Sequence, residues 1–319
     1  MTQAALSARA ARVESSPPVR RRRRRTIAPY LLSAPAMALY LAFTIVPLAY
    51  SIGTSFFAQR QTGGGILGVQ TTVFVWFDNY AAVLQDPQLL SGLGHVALYG
   101  VIAVPLTLGL ALLFALLLDA PGTRLRRFGR TAIFVPYAVP GVVAALMWGF
   151  LYLPSTSPFS YITERIGLGP IPFLDEGGIY GAIANISVWG GLGFNMLVIY
   201  TALQAIPREL VEAAQIDGAN QIQIALRIKV PLVGPALVLT AIFALLGALQ
   251  LYGEPIVLQP MTTTITTTWA PLMTIYRNAF ALDNLPAASA ASVVLALGTA
   301  LFSVVVLLAA RRVTRRSAR

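Results

Sequence analysis

Long uncharged apolar runs dominate the chain, in place of the short alternating or striped segments of a water-soluble fold. Six of them, at 30–57, 93–118, 131–153, 179–203, 232–252 and 287–310, contain no Asp, Glu, Lys or Arg. About 20 residues at 1.5 Å rise cross the roughly 30 Å hydrocarbon layer, so each run is long enough to span a bilayer as a helix. Pro47, Pro105, Pro136, Pro140, Gly190, Gly191, Gly193 and Gly247 fall inside these runs. Spanning helices tolerate such residues where neighbours re-satisfy the freed backbone groups, so the pattern predicts a tightly packed, kinked bundle. The expected fold class is all-α, with six transmembrane helices.

Composition agrees. Hydrophobic residues make up 56% and charged residues 11% of the 319 positions, with a mean hydropathy of +0.71, against roughly 45–50% and 25% in soluble domains. The net charge of +11 does not point to nucleic acid, because the cations sit at the two ends and between the apolar runs. With the N-terminus inside, 20 of the 23 cations lie in cytoplasmic segments, and only Arg60, Arg165 and Arg277 remain outside. The positive-inside rule then places both termini in the cytoplasm. Residues 1–25 read as a disordered basic tail without a signal-peptide core. Their closing run Arg20 to Arg25, directly ahead of an apolar span, reads as a topology anchor rather than a nuclear-localisation or heparin-type patch. Residues 311–319 form a second basic cytoplasmic end.

Chemistry is sparse. There is no cysteine, His95 is the only histidine and Lys229 the only lysine. Thiolate catalysis, two-histidine metal sites and a Gly-Lys-Ser/Thr phosphate loop are thereby excluded, and Ser-His triads are disfavoured. Ion-coupled transport usually shows as acids or cations within the spans, and none is present. His95 is expected at the membrane edge, without a catalytic role.

The segment between the fourth and fifth spans carries the most information. Pro207, the acids Glu209 and Glu212, and Gly218 spell a short helix with a left-handed stop. It is too short to span. Leu210, Ala213, Ala214 and Asp217 share one face, and the alanines leave that face shallow enough for another protein to approach. A helix lying on lipid headgroups would carry a basic face, whereas this one has only Arg208. From Ile222 through Ile224, Leu226 and Ile228 to Val230 the apolar positions alternate, which alone argues a strand.

Glu212-Ala213-Ala214, three residues, Gly218, nine residues, then Ile228-Lys229-Val230-Pro231 resembles the EAA loop of the membrane subunits of binding-protein-dependent ATP-binding-cassette importers, with valine where leucine is usual. Phe77-Asp78-Asn79-Tyr80, the stretch from Arg130 through Pro136 and Pro140 to Trp148, and Tyr276-Arg277-Asn278-Ala279-Phe280 extend the resemblance over most of the chain. They are most similar to the sugar-importing, maltose-permease-F-like branch. One departure is Gln259-Pro260-Met261-Thr262-Thr263-Thr264, where that branch often has a glycine-rich outer loop.

The resemblance implies a type I importer permease domain over 26–310, with an EAA-type loop at 205–231, in a bacterial inner membrane. It implies a coupling helix seated in a separate ATPase, with Glu212, Ala213, Ala214, Asp217, Gly218 and Pro231 as the coupling residues. It also implies that 222–230 is helical, since a lone strand beside a bilayer has no partner for its backbone. The implied partners are a second permease, two ATPase subunits that bind ATP and magnesium, an extracytoplasmic solute-binding protein and membrane lipid. No cofactor is expected in this chain, and no nucleic acid. Sugars present hydroxyls and apolar ring faces, which call for amides and aromatic side chains. Ser187, Trp189, Gly191, Phe194, Asn195, Gln250, Tyr252 and Glu254 are accordingly the expected solute path. A glycerol-phosphate-type cargo and an ion-coupled transporter are the alternatives.

Overall fold

The computed structural model describes residues 28–62 and 69–317; the basic tail expected at 1–25 lies outside them. The chain divides into two compact units, residues 1–49 and 50–319. The first unit holds most of helix α1, which runs through Ala28–Tyr40, a π turn at Leu41–Ile45 and Val46–Thr54. The π turn directly precedes Pro47, whose ring would clash with the carbonyl four residues back in a regular α-helix.

In the second unit the chain leaves the membrane earlier than the apolar run suggested. Phe57 does not continue the first span. It opens an antiparallel hairpin, strand β1 (Phe57–Thr62) on strand β2 (Val69–Phe74), two short strands in an otherwise helical fold. Helix α2 (Asp78–Leu84) follows, then helix α3 (Pro87–Asp119), capped by the Asp86 side chain, which accepts from the Gln88 N–H at 2.8 Å.

The third apolar run is a bent pair, not one straight helix. Helix α4 (Arg126–Phe134), with a 3-10 turn at Val135–Ala138, meets helix α5 (Gly141–Tyr152) at 96°. Val139 is extended because it precedes Pro140, and Pro140 cannot donate a backbone hydrogen bond. An outer helix, α6 (Pro158–Arg165), leads to α7 (Ile179–Gln204), the centre of the unit. Ile179, Ile183, Met196 and Ile199 of α7 are fully buried, and α3 packs along it through Ala111 and Ala115. Small residues at such contacts let backbones approach, since van der Waals packing drives helix association in lipid. Gly193 is the extreme case. A Cβ there would stand 2.5 Å from the Ile133 carbonyl oxygen and 2.6 Å from the Phe134 Cα.

Helix α8 (Arg208–Ile216) is the predicted short helix. The segment 221–232 is helical despite its alternating pattern. Helix α9 covers Gln221–Leu232 and contains a π turn, Ala225–Lys229, immediately before Pro231. Helix α10 (Gly234–Leu249) departs from α9 at 69°, so the fifth run is also broken. Helices α11 (Gly253–Leu258) and α12 (Pro271–Tyr276) follow, and α13 (Leu285–Ser317) completes the described helices. Among the described residues four helices are long and apolar enough to cross a membrane, and up to six spans result if each bent pair counts as one.

Candidate functional site

A cavity of about 410 Å³ lies between α3, the elbow at 136–141 that joins α4 to α5, α7, α10 and the step from α10 into α11. Ser187, Gly191, Phe194 and Asn195 line it from α7, and Gln250, Tyr252 and Glu254 line it from the break between α10 and α11. Seven of the eight expected path residues therefore converge. Trp189 does not. Two residues beyond Ser187 is about 200° around a helix, and the Trp189 ring packs edge-on to Trp148 in the apolar core at 6.1 Å.

The cavity lining mixes hydrogen-bonding groups with aromatic faces. The Tyr137 and Phe194 rings stack at 5.4 Å, with Phe243 next to Phe194 at 6.1 Å. Asn195 Nδ2 donates to the Gly191 carbonyl at 2.9 Å, while its buried Oδ1 has no partner among the described residues. An unsatisfied buried acceptor costs about 1–3 kcal/mol, so this oxygen favours a hydroxyl or water arriving in the cavity. Ser187 Oγ donates to Glu254 Oε1 at 3.1 Å, and the buried Tyr99 lies beside Ser187. Tyr99, Tyr137 and Phe243 line the cavity as well, beyond the residues expected from the sequence.

A second, polar pocket of about 340 Å³ lies below, at the loop side of α7 and α3. Lys229 Nζ donates to Asp119 Oδ2 at 2.5 Å and Gln204 Nε2 to Asp119 Oδ1 at 2.5 Å. The two charged side chains are only 12% and 11% exposed. This cluster joins the last residues of α3 and α7 to α9, and Arg126 reaches over it to the Ala120 carbonyl at 2.7 Å. Asp119 escaped sequence reading. Its signal is its position as the first charge after an apolar run, facing the chain's only lysine 110 residues on.

Helix α8 forms one edge of this pocket through Arg208, Val211, Glu212 and Gln215. Its end is a Schellman closure. Gly218 N–H donates to Gln215 O at 3.0 Å and Ala219 N–H to Ala214 O at 2.9 Å, with Gly218 at φ +81°. The chain restarts with a capping box: Asn220 N–H to Gln223 Oε1 and Gln223 N–H to Asn220 Oδ1, both 2.9 Å. Ala213, Glu212 and Asp217 are exposed, Ile216 is 87% exposed and Leu210 47%. Pro231 sits in α9 two residues past the end of the π turn and is exposed.

On the outer side, Asn79 Nδ2 donates to the carbonyls of Ser55 and Phe57 at 2.7 and 2.6 Å, and the Tyr80 and Ser55 hydroxyls are 2.6 Å apart. The Phe77-to-Tyr80 sequence thus ties α2 to the start of the hairpin. Where a glycine-rich loop was missed, hydroxyls do the work: Thr262 Oγ1 and Thr264 Oγ1 both donate to the Leu174 carbonyl, at 2.7 and 3.1 Å. His95 belongs to this side as a structural residue. Its Nδ1 is 2.8 Å from the Trp269 carbonyl oxygen, and its ring stacks on Trp269.

Comparison with known proteins gives a consistent result. Residues 109–319 match the family described as the binding-protein-dependent transport system inner membrane component. The sn-glycerol-3-phosphate transport system permease protein UgpA of Brucella abortus biovar 1 (strain 9-941) is 32% identical over 273 residues, covering 84% of this chain and 89% of that protein. The sulfoquinovosyl glycerol transport system permease protein SmoG of Agrobacterium fabrum (strain C58 / ATCC 33970) is 31% identical over 269 residues, 83% and 84% of the two chains. Among solved structures, the crystal structure of a bacterial transporter for import of the acidic polysaccharide alginate superposes with a TM-score of 0.73 at 23% identity, over 91% of this chain and 95% of that one. It shares the fold.

Proposed function

Because the chain belongs to the binding-protein-dependent transport system inner membrane components, we propose that it is one of two permease subunits lining the path of an ATP-driven importer for a sugar or sugar-like solute. It performs no chemistry itself. Two ATPase subunits bind and hydrolyse ATP at the cytoplasmic face, and an extracytoplasmic solute-binding protein delivers cargo to the outer loops. Both termini are cytoplasmic in this reading, and Ser187, Gly191, Phe194, Asn195, Gln250, Tyr252 and Glu254 meet the solute.

The observation that carries the reading is α8. It is an exposed helix closed at Gly218 and fused by its following segment to the ends of α3 and α7, directly beneath the cavity wall those helices form. A push on α8 therefore reaches the groups that line the cavity. Relatives named for a glycerol phosphate and for a glycosylated glycerol support a polyhydroxylated cargo.

Reconstitution in vesicles tests the energy source. Uptake is expected only with the second permease, the ATPase pair, the loaded binding protein and internal ATP. Transport by this chain under a proton or sodium gradient, with no ATPase subunit present, overturns the reading. Orientation is checked in the same system, since the chain is its own cysteine-free background. A cysteine at Glu212 should react with an impermeant thiol reagent only from the cytoplasmic side, and labelling from outside intact cells would invert the topology.

A further inference from the structure

Glu254 is the one acidic side chain among the described residues that line the cavity, which otherwise presents tyrosine, hydroxyl and amide groups with no Lys, Arg or His. It has no cationic partner: the ion pairs among the described residues are Arg60 with Asp78 and Lys229 with Asp119. One of its oxygens accepts from Ser187, and a carboxylate has about four lone-pair positions, so it keeps acceptor capacity for a solute. Fixed charge in a cleft with low-dielectric walls sets the local concentration of mobile ions, by factors of about 10 to 10³.

We propose that Glu254 is a charge-selecting residue, which sets this cavity apart from the relatives named for a glycerol phosphate and a sulfoquinovosyl glycerol by making it a site for neutral polyhydroxylated solutes and disfavouring phosphorylated, sulfonated or carboxylated ones. This rests on the reading of the cavity as the solute path. The carboxylate accepts hydrogen bonds from solute hydroxyls, the stacked Tyr137 and Phe194 faces cover the apolar side of a ring, and the unpartnered Asn195 Oδ1 takes a further hydroxyl. An anion finds no cation among the described lining residues and is repelled by the Glu254 carboxylate, whose charge none of them neutralises.

The test needs no knowledge of the cargo. In the complete complex, with cysteine-free partner subunits, a cysteine replaces Gln250, and its rates with anionic and cationic methanethiosulfonate reagents are each normalised to a free thiol. A second cysteine, at the exposed Leu168 in the loop after α6, serves as the reference outside the cavity. At position 250 the cationic reagent should be favoured, and Glu254→Gln should reduce that bias by about tenfold or more. Glu254→Asp should keep it, and the reference site should not respond to either change. Absence of bias at position 250, or a bias unchanged in Glu254→Gln because the second permease sets the field, overturns the proposal. Either result leaves ATP-dependent uptake as a separate observation: the importer reading stands or falls on uptake, the charge filter on the reagent ratio.

Discussion

Gly218→Val is expected to lower ATP-driven uptake by about five- to thirtyfold while leaving the protein inserted and folded. At φ +81° the residue lies in the left-handed region, where a residue with a Cβ pays about 1–2 kcal/mol, and one to two kcal/mol corresponds to that range of populations. Nothing lies within 4 Å of a Cβ built at this position, so the penalty is backbone strain alone and not collision. That distinction predicts an order among variants. Asparagine visits the left-handed region most readily and should retain most activity, alanine should be intermediate, and valine worst. What fails in the valine variant is the Schellman closure and with it the position of Leu210, Ala213 and Ile216 against the ATPase. Co-purification of the ATPase, binding-protein-stimulated hydrolysis and uptake should fall together. Full assembly and full uptake in Gly218→Val would remove the docking role of α8.

Asp119→Ala should be the most destabilising single change at the cytoplasmic end. It strands the Lys229 ammonium, 12% exposed, with its only observed acceptor gone, and removing one partner of a buried pair typically costs about 3–5 kcal/mol. Lys229→Met should cost less, because Gln204 continues to donate to Asp119. Replacing both, by Asp119→Leu with Lys229→Met, should recover most of the thermal stability, since buried ion pairs often exchange for apolar contacts without net loss. Uptake should not recover with it, because the link from α9 to the ends of α3 and α7 stays cut. A thermal-unfolding series in detergent, paired with uptake, separates the two. If the double variant transports normally, the cluster is packing and not linkage.

How much of this could be read beforehand varied with the range of the interaction involved. The spans at 93–118, 179–203 and 287–310 follow from local apolar length; α7 matches its run to within one residue, while α3 starts six residues before its run and α13 ends seven residues after its own. The short helix was equally legible, since Pro207 and Gly218 mark both its ends within the local sequence. Prolines 136 and 140 announced a kink, but a 96° elbow depends on what the two halves pack against. The hairpin escaped because Phe57-Ala58-Gln59-Arg60-Gln61-Thr62 lacks a clean apolar alternation, and its partner strand supplies the hydrogen bonds. Ser187, Gly191, Phe194 and Asn195 share a face of α7 by helical spacing and line the cavity together, and the same spacing puts Trp189 off that face. The Asp119–Lys229 pair joins positions 110 residues apart, and no local pattern encodes such a meeting.

The contact at Gly193 sets the mechanics of the cavity. With the backbone of Ile133 and Phe134 already where a side chain would otherwise begin, no layer of side chains lies between α7 and the α4 elbow to be repacked or slid. That seam behaves as a weld. Pro136 and Tyr137, just beyond it, and Phe194 and Asn195, one residue or two past Gly193, consequently travel as one plate. Widening the passage then falls to the opposite wall, where α10 is slung between two joints, the 69° bend at Val233 and the non-helical step at Gln250 to Tyr252.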